Sequence, residues 1–130
     1  MINNRGYIAL ISVLSISAVG LAIASALLIL GIDSTKTSIN TYQGFEAKIL
    51  AHTCSDLALD QIRANITYTG TSTQNLGNGS CTYIVTNTGG SNREVLSSGA
   101  VNNIIRREKV LINQVSPTIG ISSWLEVAIF

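Results

Sequence analysis

Residues 5–33 are RGYIALISVLSISAVGLAIASALLILGID, a long apolar segment with one charged residue at each end. No charged residue lies between Arg5 and Asp33, and residues 7–32 form a run of 26 uncharged, mostly aliphatic residues. As an α-helix this run would be roughly 39 Å long. A transmembrane helix needs about 20 predominantly apolar residues. We therefore expect residues 7–32 to form a transmembrane helix.

The chain has two segments that differ in composition. Of the 130 residues 46% are apolar and only 12% are charged, and downstream of Asp33 the sequence is rich in Ser, Thr, Asn and Gly. The length suits one domain with an additional element. A formal net charge of +1 gives no indication of a nucleic-acid partner.

The charges that flank the apolar run predict its orientation. Arg5 and the N-terminal amine precede the run, whereas Asp33 and Lys36 follow it and nearly cancel. The positive-inside rule places the N-terminus in the cytoplasm and the rest of the chain outside. Such an exported domain lies where disulfides persist.

Three interpretations of the first thirty residues are open. The segment could be an uncleaved signal anchor that holds a surface binding domain to the membrane. It could be a secretory signal cleaved after an A-x-A sequence, and residues 22–24 and 24–26 both match. Against that second interpretation, Leu27–Leu30 continues the apolar run past either cut.

The third interpretation comes from the residues at the start of the run. Arg5-Gly6-Tyr7, after a six-residue leader and before an apolar helix, resembles the class III signal of type IV pilins and type II secretion pseudopilins. The resemblance implies that a prepilin peptidase cleaves after Gly6. It also implies that Tyr7 becomes the N-methylated first residue, and that the helix is kept for filament assembly.

The resemblance also assigns roles along the helix. Its assembly residues would be Ile8, Ile11, Leu14, Gly20, Leu21 and Leu28. Gly20 is at a position where many pilins have glycine. Ile11 replaces the glutamate of the major subunits, and Leu28 replaces a frequent proline. The chain is therefore more similar to minor pilins, such as the PilX-like proteins, than to a major subunit.

The implied partners are other pilin subunits, the prepilin peptidase, the inner-membrane assembly machinery and, before assembly, membrane lipid. The implied location is first the inner membrane and then a filament at the cell surface. Four segments follow from this interpretation: a leader 1–6, a transmembrane helix 7–32, an amphipathic helix 33–66 and a β-sheet head 67–130.

An apolar stripe at helical spacing predicts the amphipathic helix. Its members are Tyr42, Phe45, Ile49, Cys54, Leu57, Ala58 and Ile62. Gly31–Ser34 offers a helix stop and an N-cap, but a single long helix is the signature of the pilin family, and we expect the helix to continue. Asp60 and Arg63 are spaced to form an ion pair.

The remaining residues predict strands joined by turns, in an α+β fold with an antiparallel meander of three to four strands. The expected elements are a loop over 70–79, strands over 80–87, 93–101 and 104–115, and a fourth strand or a tail over 119–127. Gly99 suggests a β-bulge. Asn102-Asn103 tolerates the positive φ of a two-residue turn.

Few residues in the sequence are candidates for disulfide formation, metal binding or catalysis. Cys54 and Cys81 are the only cysteines, and a bridge between them would contribute roughly 3–4 kcal/mol, although two free buried thiols are the alternative. His52 is the only histidine, and with two cysteines it does not supply a structural zinc site. We expect no catalytic residues, metal or cofactor. The charge cluster 106–109 is expected to be a solvated strand or, alternatively, a subunit contact.

Overall fold

The computed structural model describes residues 4–130, with side chains from Gly6 onward. Most of the expected leader, 1–6, therefore lies outside the described residues. One helix is followed by five strands: α1 Asn4–Ala64, β1 Gly70–Leu76, β2 Gly79–Gly89, β3 Asn92–Val101, β4 Ile104–Gln114 and β5 Gly120–Val127. The predicted α+β fold with a long N-terminal helix is confirmed.

The chain divides into two compact units, of which one ends at Ile39 and the other comprises Asn40–Phe130. In the first unit every side chain from Gly6 onward is exposed. The helix is long enough and apolar enough to cross a membrane. It does not stop at Gly31–Ser34, and the hydroxyl of Thr35 donates a hydrogen bond to the carbonyl of Gly31 inside the helix.

In the second unit the strands form one antiparallel sheet in the order β1-β2-β3-β4-β5. The predicted meander is correct, but the expected number of three to four strands is wrong, because residues 70–76 form β1 rather than a loop. β1 pairs residue for residue with β2 around a turn in which Gly77 has a positive φ of 59°. β1 consists mainly of polar residues that are exposed or half-buried, so it lacks the apolar alternation by which a strand is recognised. Of the two alternatives for the last segment, the structure has the strand, β5.

The turns agree largely with expectation. Asn102 has a φ of 51° in the two-residue turn between β3 and β4. The expected bulge at Gly99 is wrong, because the register of β3 with both neighbours is unbroken there. Bulges occur instead near Asn87, opposite β3, and near Ile112, opposite β5.

The core lies between the C-terminal part of α1 and the inner face of the sheet. Ala47, Ala51 and Ala58 are fully buried on the helix. The sheet contributes Cys81, Tyr83, Val85, Val95, Val101, Val110 and Ile112. An added Cβ at Gly99 would collide with the carbonyl oxygen of Ala47. Gly99 is therefore a point of close approach between helix and sheet, which explains why it is glycine without a bulge.

This close approach corrects the predicted apolar stripe. Three of its residues are buried, namely Cys54, Ala58 and Ile62, whereas four are exposed, namely Tyr42, Phe45, Ile49 and Leu57. A helix that approaches a sheet closely must present small side chains to it. The buried face therefore combines small residues, such as Ala47, Ala51 and Ser55, with Leu50, Leu59 and Ile62.

A buried arginine ties the β2–β3 hairpin to the end of the helix. Arg93 is only 5% exposed, and its guanidinium donates hydrogen bonds to the carbonyl oxygens of Gly90, Asn92 and Ile66 at 2.8–2.9 Å. Its Nε has no hydrogen-bond partner among the described residues. The side chain thus fixes the hairpin through neutral acceptors.

Candidate processing and assembly site

Gly6 and Tyr7, the expected cleavage and methylation residues, lie in the first turns of α1, and both are exposed. Tyr7 is 69% exposed. No other described residue therefore covers the peptide bond after Gly6.

The expected assembly residues form an apolar surface with no cover from the described residues. The exposed fractions are 63% for Ile8, 45% for Ile11, 66% for Leu14, 76% for Leu21 and 69% for Leu28. Leu14, Leu21 and Leu28 recur every seven residues and hence follow one side of the helix. A shallow groove lined by Gly6, Ala9, Leu10, Val13, Leu14 and Ser17 runs beside this row.

The serines of this segment do not make its surface strongly polar. The hydroxyls of Ser12, Ser15 and Ser17 each donate a hydrogen bond to the carbonyl four residues earlier, at 2.7–2.8 Å. Ser25 donates likewise to the carbonyl of Ala22, at 2.9 Å. Because these donors are satisfied inside the helix, the serines remain compatible with lipid or with a neighbouring helix.

Gly20 makes no close packing contact with the described residues. A Cβ added there would meet no described atom within 4 Å, and the same holds at Gly31. Glycine in a helix interior is roughly 1 kcal/mol less favourable than alanine. Contact with another helix, where a missing side chain permits close approach, would account for glycine at this position.

The two cysteines form the expected bridge. Cys54 on α1 and Cys81 on β2 are joined by a disulfide with Cα atoms 5.9 Å apart, and both residues are buried. The alternative of two free thiols is therefore wrong. The bridge fastens the helix to the sheet beside β1.

A buried polar cluster that the sequence analysis missed lies between helix and sheet. The Glu108 carboxylate accepts a hydrogen bond from Trp124 Nε1 at 2.8 Å, and its Oε2 lies 3.4 Å from both Ser55 Oγ and His52 Nδ1. The hydroxyls of Ser55 and Ser97 are 2.6 Å apart. The alternation of β4 could have revealed Glu108, because it shares a face with Val110 and Ile112.

This cluster contains the residue types of a hydrolase but not their arrangement. In a nucleophilic triad the histidine lies between the hydroxyl and the acid, whereas here Glu108 lies between Ser55 and His52. Ser55 is 0% exposed. The His52 ring lies 4.6 Å from that of Trp124, and its side chain is 55% exposed. The arrangement supports a structural role, in which a carboxylate joins α1, β4 and β5.

Charged residues of the cluster 106–109 form ion pairs within the head. Glu126 of β5 binds Lys48 at 2.9 Å and Arg106 at 3.3 Å, and Lys109 binds Glu94 at 3.0 Å. The hydrogen bond and the charge of Lys48, followed by the charge of Arg106, lower the pKa of Glu126. β4 lies between β3 and β5, so these charges lie on an inner strand of the sheet.

The expected Asp60–Arg63 ion pair is present at 3.1 Å on the exposed helix surface. Within residues 4–130 no group of three or more His, Cys, Asp and Glu side chains is placed to hold a metal ion.

No protein-family model, curated protein or solved structure matches the chain. Function must therefore be argued from the molecule itself.

Proposed function

We propose that this chain is a structural subunit, of the minor type, of a type IV pilus or a related filament. It is cleaved after Gly6, methylated at Tyr7 and assembled through its apolar helix. The observation that carries the proposal is a fully exposed apolar helix, preceded by the Arg5-Gly6-Tyr7 junction and followed by a head with its own core. The replacement of a glutamate by Ile11 supports the minor type.

The exposed helix surface supports this mechanism energetically. Large apolar side chains between Tyr7 and Ile32 are 45–76% exposed. Burial of one such side chain is worth about 1.5–3 kcal/mol, so the segment requires lipid or protein around it. In both environments it is hidden from water, and exchange of lipid for sister helices is therefore nearly balanced in free energy. Small residues such as Ala9, Ala18 and Ala22 permit close packing in the bundle.

The proposal implies a sequence of partners. The precursor lies in the inner membrane with its head outside, and a prepilin peptidase removes the leader on the cytoplasmic side. The inner-membrane assembly machinery then moves the helix into a filament of pilin subunits at the cell surface. This role requires no cofactor and no enzymatic activity of the chain itself.

The mass of the mature protein tests the proposal. We expect the mature chain to begin at Tyr7 with one added methyl group. A Gly6→Val variant should keep its leader, because a branched side chain replaces the smallest residue beside the cleaved bond. Gly20→Ala provides the matched control, since an added methyl there meets no described atom within 4 Å.

Two other masses would contradict the proposal. A mature protein that retains Met1 would instead favour an uncleaved signal anchor carrying a surface binding domain. A protein that begins near Leu27 would favour ordinary secretion.

A further inference from the structure

β1 is an edge strand with a regular open side. Among the described residues it pairs only with β2, and its seven residues follow the register without a shift. An edge of this kind presents a row of unpaired backbone N–H and C=O groups to solvent. The opposite edge of the sheet is β5, and the two edges differ in how they are protected.

β1 has none of the usual protection. No charged residue occurs from Ala64 to Asn92, and the only proline, Pro117, lies elsewhere. β5, by contrast, carries Glu126 with its two ion pairs, and its pairing with β4 is interrupted by register shifts. Charges and bulges of this kind discourage edge-to-edge pairing. The chain therefore protects one edge of its sheet and leaves the other open.

We propose that β1 is an interaction surface for the β1 strand of a second copy of this chain, through antiparallel strand addition. Extended backbone on both sides supplies the hydrogen bonds. Two uncharged β1 strands meet without like-charge repulsion, whereas β5 would bring Glu126 and its paired cations to the junction. Among the edges of this chain, β1 is thus the best partner for itself.

Full overlap of the two β1 strands sets their register. Thr73 is the middle residue of Gly70–Leu76, so full antiparallel overlap places Thr73 opposite its own copy. Thr73 already makes such a cross-strand contact within the chain, because its hydroxyl lies 2.9 Å from that of Thr82. Thr71, Thr73 and Asn75 are exposed and share the face directed away from the helix.

The size of this contact limits its strength. A single pair of strands is far smaller than the roughly 1,200–2,000 Å² buried in stable protein complexes. The pairing therefore requires copies concentrated on one membrane or along one fibre, where a high effective concentration compensates for weak affinity. This inference does not depend on the filament proposal, because anchored copies in one membrane satisfy the same condition.

Disulfide cross-linking of the full chain in lipid vesicles tests the pairing. Opposed residues of an antiparallel pair have Cα atoms about 4.5–5.5 Å apart, which a disulfide can span. We expect Thr73→Cys to give a covalent dimer under mild oxidation. Leu125→Cys is the matched control, because Leu125 is 59% exposed on β5 at the opposite edge. The native Cys54–Cys81 bridge is buried and should not exchange.

A second variant separates strand pairing from simple crowding. Adding Thr71→Lys to the Thr73→Cys chain places a charge on the exposed edge, which should reduce the dimer several-fold without changing the melting temperature. Equal dimer from Thr73→Cys and Leu125→Cys, or dimer that is insensitive to Thr71→Lys, would overturn the inference. The N-terminal mass is an independent measurement, so the two proposals can fail separately.

Discussion

Gly99→Ala should destabilise the head through direct steric conflict with the helix backbone. The added methyl carbon would lie 2.5 Å from the amide nitrogen of Ala51 and 2.9 Å from Cβ of Leu50, and closer still to the carbonyl oxygen of Ala47. Two of these atoms belong to the helix backbone and cannot rotate away. Helix and sheet must therefore separate locally, beside the buried Ser55–Ser97 contact.

Overpacking in a well-packed core typically costs about 1–3 kcal/mol. We expect the upper part of this range, because the conflict involves backbone on both elements rather than a flexible side chain. For a domain of this size each kcal/mol lowers the melting temperature by roughly 4–8 °C. Thermal unfolding followed by circular dichroism, on the full chain in detergent, would measure the difference.

Gly44→Ala is the matched control for this measurement. It is the same substitution on the helix side of the interface, but its methyl carbon would lie 3.4 Å from the Nη2 atom of the flexible Arg106 side chain. Alanine is roughly 1 kcal/mol more favourable than glycine in a helix, so this variant should be neutral or slightly more stable. A Gly99→Ala protein that melts at the wild-type temperature would contradict the proposed steric conflict with the helix. Equal destabilisation of both variants would also contradict it.

Three further predictions concern the membrane segment, the disulfide and the Glu126 ion pair. Leu21→Lys places a charge in the apolar helix at a cost of about 3 kcal/mol. Because the remaining apolar side chains still favour the membrane, the fraction extracted at high pH should rise without complete release, and an unchanged fraction would contradict a helix embedded in lipid. Replacing Cys54 and Cys81 together by alanine should reduce the free energy of unfolding by roughly 3–4 kcal/mol, measured in urea, and no loss would contradict a stabilising bridge. Lys48 lowers the pKa of Glu126. The Lys48–Glu126 ion pair therefore stabilises the head above the ordinary carboxyl pKa, and this stabilisation is lost as the pH falls through the lowered pKa of Glu126. Glu126→Gln should therefore make the decrease in unfolding free energy at acid pH smaller, by less than about 1 kcal/mol. An unchanged decrease would exclude the ion pair as a cause of the acid sensitivity.

The helix could be predicted from sequence because its determinants are local. An uncharged run from Tyr7 to Ile32 has few physical alternatives to a membrane helix, and no distant residue is needed to infer it. The same holds for the disulfide, since a chain with two cysteines offers one intramolecular pairing. The turn at Asn102 follows from the tolerance of asparagine for positive φ.

The head was predicted less completely, because its elements depend on distant partners. The sequence predicts a loop at β1, because a polar strand is recognised only by its pairing with β2. The buried helix face was misplaced because large apolar residues such as Phe45 and Ile49 gave the stronger signal. Their position on the surface is decided by the small distance between helix and sheet.

Local features of the sequence predict the long apolar helix and the pairing of the two cysteines. Contacts within the folded head, in contrast, place Gly99 against the helix backbone, bury Glu108 among hydrogen-bond donors and leave β1 as the edge without charged residues. Hydropathy and turn preference act between neighbours in sequence, whereas packing distance, side-chain burial and edge position exist only after the strands have assembled.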